Sequence, residues 1–166
     1  MSYVSYDGMV LMLMKNRREN DPNSGFLTLP GGKLETWEKG LYNPEGRLEA
    51  AVRETEEETG LTPINLILRA TILFDNAERI FDNWSNPEDY LVYIFSAEEY
   101  DGILKEETEE GLPLLVKKND IPKFPKNKGD ESMHDWLLKD SRCFYGVIKY
   151  KGKELDERGT FVDYFD

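Results

Sequence analysis

The chain has 166 residues, with 33 acidic side chains against 21 basic ones and a formal net charge of −12. That balance excludes the basic surface that non-specific DNA or RNA binding needs, so no nucleic-acid polymer is expected as a partner. No run approaches the roughly 20 apolar residues of a membrane-spanning helix, so no membrane partner is expected and a cytoplasmic protein is the default. Cys143 is the single cysteine, which excludes an intrachain disulfide and fits a reducing compartment. Residues 1–8 carry no basic segment followed by an apolar run, so no leader is expected. At this length a single domain over residues 1–166 is expected, with a core of its own.

Residues 10–14 form a short apolar run behind the turn formers Asp7 and Gly8, which predicts a hairpin over residues 2–15. Residues 16–25 are polar and turn-rich, a surface loop. Residues 26–29 read as a short strand leading into Gly31 and Gly32. A helix is predicted over 45–59, with Leu48, Ala51, Val52 and Thr55 on its buried face and Gly60 as its stop. Residues 65–74 and 90–96 are rich in Ile, Leu, Tyr and Phe and read as strands. Residues 75–89, with Asn83, Asn86 and Pro87, read as a loop or distorted hairpin connection. A strand follows at 111–116, then a helical turn at 118–122. A short helix over 132–139 sets Met133, Trp136 and Leu137 on one side. Strands at 143–150 and 159–164, joined by a polar turn at Gly152, close the chain. The pattern predicts an α+β domain with a mixed sheet and two helices.

The chemistry concentrates between Arg53 and Leu61. On a helix, Glu54, Glu57 and Glu58 stand at i, i+3 and i+4, so three carboxylates share one face. Like charges so placed oppose the helix unless a cation sits among them, and carboxylate oxygens suit Mg²⁺ or Mn²⁺. Upstream, Pro30-Gly31-Gly32-Lys33 forms a turn able to bring a backbone carbonyl to the same ion. Glu-x-x-Glu-Glu alone would mean no more than a solvated acidic helix. Arg53, Gly60, the Pro-Gly-Gly turn and Glu45, at their spacings, argue for a metal site.

These residues resemble the signature of the Nudix hydrolases. That pattern runs Gly, five residues, Glu, seven residues, Arg-Glu, an aliphatic residue, any residue, Glu-Glu, any residue, Gly, aliphatic. Arg53, Glu54, Glu57, Glu58, Gly60 and Leu61 meet its second half, and Glu45 stands eight before Arg53. Gly32 is followed six later by Glu38, so the halves do not share one glutamate. A seven-residue insertion around 39–45, rich in turn formers, separates them, and the aliphatic position is Thr55.

The resemblance implies the Nudix α/β/α sandwich and hydrolysis of a phosphoanhydride with Mg²⁺, or Mn²⁺ in its stead. Glu54, Glu57 and Glu58 would ligate metal with a carbonyl at Gly32, and one of these glutamates would take the proton from the attacking water. Arg53 would orient the carboxylates, and Glu35 or Glu38 would pair with it or approach the metals. Glu110 matches a further acid, although a solvated loop also accounts for Glu106 to Glu110. His134, the only histidine, reads as a partly exposed helix residue without a part in the mechanism.

Residues 90–166 are similar to the MutT, MutX and MTH1-like branch that clears 8-oxo-dGTP, which implies a nucleotide substrate. Within that resemblance Thr28, Lys33, Asp130 and Glu131 would contact substrate, the two acids at the purine edge. A helix N-cap is the other reading of Asp130. The stacking position holds Lys128, leaving Tyr3, Tyr6, Phe26, Trp84 or Phe124 as other stacking candidates. The rival activities are hydrolysis of ADP-ribose, a dinucleoside polyphosphate or a nucleotide sugar, and non-catalytic nucleotide sensing. A calcium-stabilised interaction protein lacks EF-hand spacing. A homodimer is a possible assembly, as Nudix domains often pair.

Overall fold

The structure, a computed structural model, describes residues 1–16, 24–35, 37–38, 41–42, 45–79 and 88–166. In chain order the first elements are β1 (Ser2–Tyr6), β2 (Met9–Lys15), β3 (Leu27–Thr28), β4 (Trp37–Glu38) and β5 (Leu41–Tyr42). Helix α1 (Arg47–Thr59) is followed by β6 (Leu61–Ile64), β7 (Ile67–Arg79), β8 (Tyr90–Ala97), β9 (Glu99–Gly102) and β10 (Gly111–Lys117). A 3-10 segment (Lys118–Lys123), α2 (Lys128–Lys139), β11 (Phe144–Gly152), β12 (Glu154–Leu155) and β13 (Phe161–Tyr164) complete the chain. The α+β class with a mixed sheet is as expected. The elements gather into two compact units, residues Met1–Ile67 with Phe95–Lys126, and Leu68–Ile94 with Asn127–Asp166.

In the first unit β1 and β2 form the expected hairpin. Its turn residues Asp7 and Gly8 both have positive φ, 49° and 76°, the turn hand that matches strand twist. β2 pairs antiparallel with β10 on its other side, and β1 pairs in parallel with the end of β8 at Phe95–Ala97. Val10, Leu11, Met12 and Leu13 are all fully buried, the continuous apolar run of a strand covered on both faces. Val4, Leu11, Leu61 and Ala97 form a core cluster joined by Leu66, Tyr100, Leu104 and Leu115.

Helix α1 starts at Arg47, two residues later than predicted. Glu45 is held in place by its N–H donating to the Glu35 carbonyl at 2.9 Å, and Gly46 is extended at the N-cap. Glu49 reaches back to accept from the Gly46 N–H at 3.0 Å, half of a capping box. The helix ends at Gly60 in the left-handed conformation, as expected. Its buried stripe runs through Ala51, Thr55 and Glu58. Leu48, expected in that stripe, is 46% exposed, because small side chains carry the close packing and Leu48 falls beside an open cleft with Val52 and Lys105.

The threonine at the aliphatic position of the pattern has a local reason. Thr55 Oγ1 donates within a buried trio, 2.7 Å from Ser2 Oγ and 2.6 Å from the Ala51 carbonyl, which Ser2 Oγ also meets at 3.1 Å. A hydroxyl therefore replaces an aliphatic contact and ties β1 to α1.

In the second unit β11 pairs in parallel with β7 and antiparallel with β12 and β13. β7 extends to Arg79, although residues 75–79 were expected to be loop. The register Lys149↔Asp75 and the 3.0 Å Lys149–Asp75 ion pair stabilise polar residues as strand where propensity does not. Residues 80–87, with Asn83, Trp84, Asn86 and Pro87, lie outside the described residues. α2 begins at Lys128 rather than Ser132, because Tyr150 Oη accepts the Gly129 N–H at 3.2 Å and satisfies the first turn. Asn127 is the N-cap, so the N-cap reading of Asp130 is corrected: Asp130 is a first-turn residue. His134 is buried, 3% exposed, not partly exposed as expected, because it shares the inward face of α2 with Met133 and Leu137.

Thr55→Val is expected to lower stability by about 1 kcal/mol, the usual net worth of one hydrogen bond. Combined with Ser2→Ala the losses should be non-additive, which a denaturant double-mutant cycle measures directly.

Candidate active site

The site lies within the first unit and begins with Arg53. Its Nε donates to Glu45 Oε1 at 2.8 Å and its Nη2 to Glu45 Oε2 at 3.0 Å, a two-point pair. Nη1 lies 2.9 Å from Glu54 Oε1 and 3.1 Å from Glu57 Oε2, with Glu35 farther off at 3.8 Å. Nη2 also meets the Lys33 carbonyl at 3.4 Å, fastening the glycine turn to the helix. The hydrogen bond from Arg53 holds the Glu45 carboxyl below its ordinary range, and that bond with Glu45 leads the causes that raise the guanidinium. Glu45 therefore supplies the arginine partner across the insertion. Glu38 is in β4, with its side chain outside the described residues.

Glu58 points the other way, into the unit. Its side chain is 6% exposed and its two oxygens take different donors, the Gly31 N–H at 2.7 Å and Lys15 Nζ at 3.1 Å. Burial pushes the Glu58 carboxyl up, against the pull of Lys15 and the Gly31 N–H. Burial also lowers the Lys15 ammonium, but Glu58 and Glu110 more than offset this and leave it above its ordinary value. Two N–H donors on two acceptor oxygens is the geometry of an ionised pair.

Gly32 stands against Glu54. A Cβ there would fall 2.4 Å from the Glu54 carboxylate, so only glycine lets the turn's backbone approach that oxygen. Carboxylates beside a backbone turn are the hard oxygen donors that Mg²⁺ or Mn²⁺ prefers, so the residues present fit such an ion. Among the described residues, no three carboxylates converge ready-made on one point. Arg53 and Lys15 occupy their oxygens instead. Ser2 anchors the turn from below, its N–H donating to the Pro30 carbonyl at 2.9 Å.

Glu54, Glu57, Glu58, Arg53, Gly31 and Gly32 are thus brought together, with Glu57 the most open at 61%. Glu110 reaches the group through Lys15, at 3.1 Å from Nζ, while Glu106, Glu107 and Glu109 are exposed. Thr28 is buried in β3 and Lys33 is exposed beside the turn. Tyr3 is buried, Tyr6 is exposed and packs edge-on to Tyr100, and Phe26 and Phe124 are half-buried. Asp130 and Glu131 belong to the second unit, on the first turn of α2. The residue that sequence reasoning missed is Lys15. Its signal was a lone cation closing an otherwise apolar strand.

Gly32→Ala is expected to lower kcat/KM about 10- to 100-fold by shifting the Glu54 carboxylate, the range seen when ligand orientation is lost. Circular dichroism should be unchanged, because the added methyl meets only the flexible end of a side chain.

A profile described as the NUDIX domain matches residues 4–137. The chain is 30% identical over 146 residues to an uncharacterized Nudix hydrolase, YvcI of Bacillus subtilis (strain 168), covering 87% of this chain and 80% of that protein. Its fold matches the MutT protein of Bacillus halodurans with a TM-score of 0.75 and 29% identity, over 98% and 94% of the two chains. It also matches the NUDIX domain of Shewanella oneidensis NrtR complexed with ADP ribose, with a TM-score of 0.59 over 83% and 82% of the chains. At 14% identity that second match shows the fold alone.

Proposed function

The chain belongs to the Nudix family of phosphoanhydride hydrolases, and on that premise we propose a Mg²⁺-dependent nucleoside triphosphate pyrophosphohydrolase acting on an oxidised purine dNTP such as 8-oxo-dGTP. The observation that carries the reading is the meeting of α1 with the glycine turn, where Glu54 stands against Gly32, Glu58 accepts from Gly31 and Glu57 pairs with Arg53 beside them. When bound there, Mg²⁺ neutralises phosphate oxygens and so removes the repulsion between an acidic protein and a polyphosphate. Glu54, Glu57, Glu58, Glu110 and the Gly32 carbonyl would hold it. One of the three helix glutamates would take a proton from water, whose oxygen bonds to phosphorus as the anhydride between the α- and β-phosphates breaks. Pyrophosphate and a monophosphate leave. Arg53 keeps Glu54 and Glu57 aimed throughout, through the pair that Glu45 anchors.

The second unit, by itself, holds an aromatic cluster. Phe74 and Tyr90 stack at 4.8 Å with their planes 9° apart, and the Arg79 guanidinium lies 3.7 Å over the Tyr150 ring. Burial pushes the Tyr90 hydroxyl up to about 12, with Asp130 adding to the shift, and Tyr150 rises for the same reasons. Phe74 and Tyr150 are buried and each already has a face covered, by Tyr90 and Arg79, so this cluster is core of the second unit and the purine reading rests on the family resemblance. Lys128, however, is exposed and paired with Glu154 rather than available as a stacking ring. That departure weakens the case for 8-oxo-dGTP, and the alternative is another nucleoside diphosphate derivative such as ADP-ribose, cleaved at the same site.

Incubation with Mg²⁺ and, in parallel, 8-oxo-dGTP, dGTP, ATP and ADP-ribose should give selective conversion of 8-oxo-dGTP to its monophosphate. Preferred turnover of ADP-ribose would replace the first reading with the second. Glu57→Gln and Glu58→Gln should each cut kcat by about 10²- to 10⁴-fold with the fold intact. Full activity in both would refute the assignment.

A further inference from the structure

Lys15 is built into the acidic cluster rather than attached to its rim. Its ammonium lies 3.1 Å from Glu58 Oε1 and 3.1 Å from Glu110 Oε2, and its side chain is only 19% exposed. The antiparallel register sets this contact: Lys15 is opposite Gly111, so Glu110 is carried to the end of β2 beside it. The Asn16 N–H donates to the Glu110 carbonyl at 3.0 Å and fastens the same corner. Glu58 cannot turn away, because the Gly31 N–H holds its second oxygen at 2.7 Å. A single positive charge thus bridges two carboxylates that come from different elements, α1 and the loop before β10.

We propose that Lys15 is an internal counter-ion that competes with the divalent cation for Glu58 and Glu110. The inference rests on the metal site described above and adds a control on its affinity. In the metal-free protein the ammonium compensates the buried Glu58, to which the Met1 amino group also lends positive charge. When a divalent ion binds these carboxylates, the ammonium must leave them, so part of the attraction for the metal is spent in breaking the Lys15 contacts. Metal binding is weaker than the same carboxylates would give alone, and the metal-free site stays ordered.

Mn²⁺ titration followed by electron paramagnetic resonance tests this on the full chain. Lys15→Met should bind Mn²⁺ roughly tenfold more tightly than the wild type, the order expected when a like charge beside a cation site is removed. Lys15→Arg, which keeps the charge, should stay near the wild type. Lys105→Met removes an equal charge from the end of α1, where Nζ meets the Glu57 carbonyl at 3.0 Å, and should change affinity far less. Without metal, Lys15→Met should have a lower Tm than wild type, and Mn²⁺ should raise it by more. Unchanged or weaker Mn²⁺ binding in Lys15→Met would overturn the inference while leaving the metal site in place. No Mn²⁺ binding by the wild type would overturn the metal site itself. The wild-type chain offers a check that does not depend on the variant folding. Acetic anhydride labelling read by mass spectrometry should rise at Lys15, and not at Lys105, when Mg²⁺ is added. Unchanged or reduced Lys15 labelling on a protein that binds Mn²⁺ would refute displacement.

Discussion

The site poses one problem in electrostatics: Glu54, Glu57 and Glu58 stand close together on α1, and their charges must be compensated by the chain itself. Arg53 solves half of it by lying within 3.1 Å of both Glu54 and Glu57 while Glu45 holds it from outside the helix. Lys15 solves the other half by pairing with the buried Glu58. Fixed donors are worth more here than exposed ion pairs, because Glu58 and Glu45 are largely removed from water and their partners are held by backbone contacts. The site is therefore ordered by the chain's own cations.

The surroundings serve that arrangement. The hairpin of β1 and β2 delivers Ser2 under the glycine turn and Lys15 to the cluster, so one supersecondary unit fixes both ends of the site. The Ser2–Thr55 contact joins that hairpin to α1 by hydroxyls. Gly32 permits an approach to the Glu54 carboxylate that a Cβ would displace.

Much of this could be read from residue order. The helix from its Arg-Glu pair to Gly60, the Pro-Gly-Gly turn and the hairpin at Asp7-Gly8 are local signals, each set by backbone preference or helical spacing. Glu45 and Glu38 could not be separated by spacing, and the two-point contact of Arg53 with Glu45 makes the assignment. Lys15 was hidden because its partners are 43 and 95 residues away, and only strand register brings them together. The first turn of α2 and the end of β7 were missed for the same reason. Tyr150 stabilises one and β11 the other, and neither leaves a mark in the local sequence. Leu48 fails in the opposite direction: its periodicity is apolar, but it lies at an open cleft and stays 46% exposed.

Anomalous diffraction from crystals soaked in Mn²⁺ is the most direct test of the account's central claim, that the α1 carboxylates and the glycine turn hold a divalent cation. The account predicts a peak within about 2.0–2.3 Å of carboxylate oxygens of Glu54 and Glu58, the bonding range of a small hard cation. A peak away from α1, or none at saturating Mn²⁺, would contradict it.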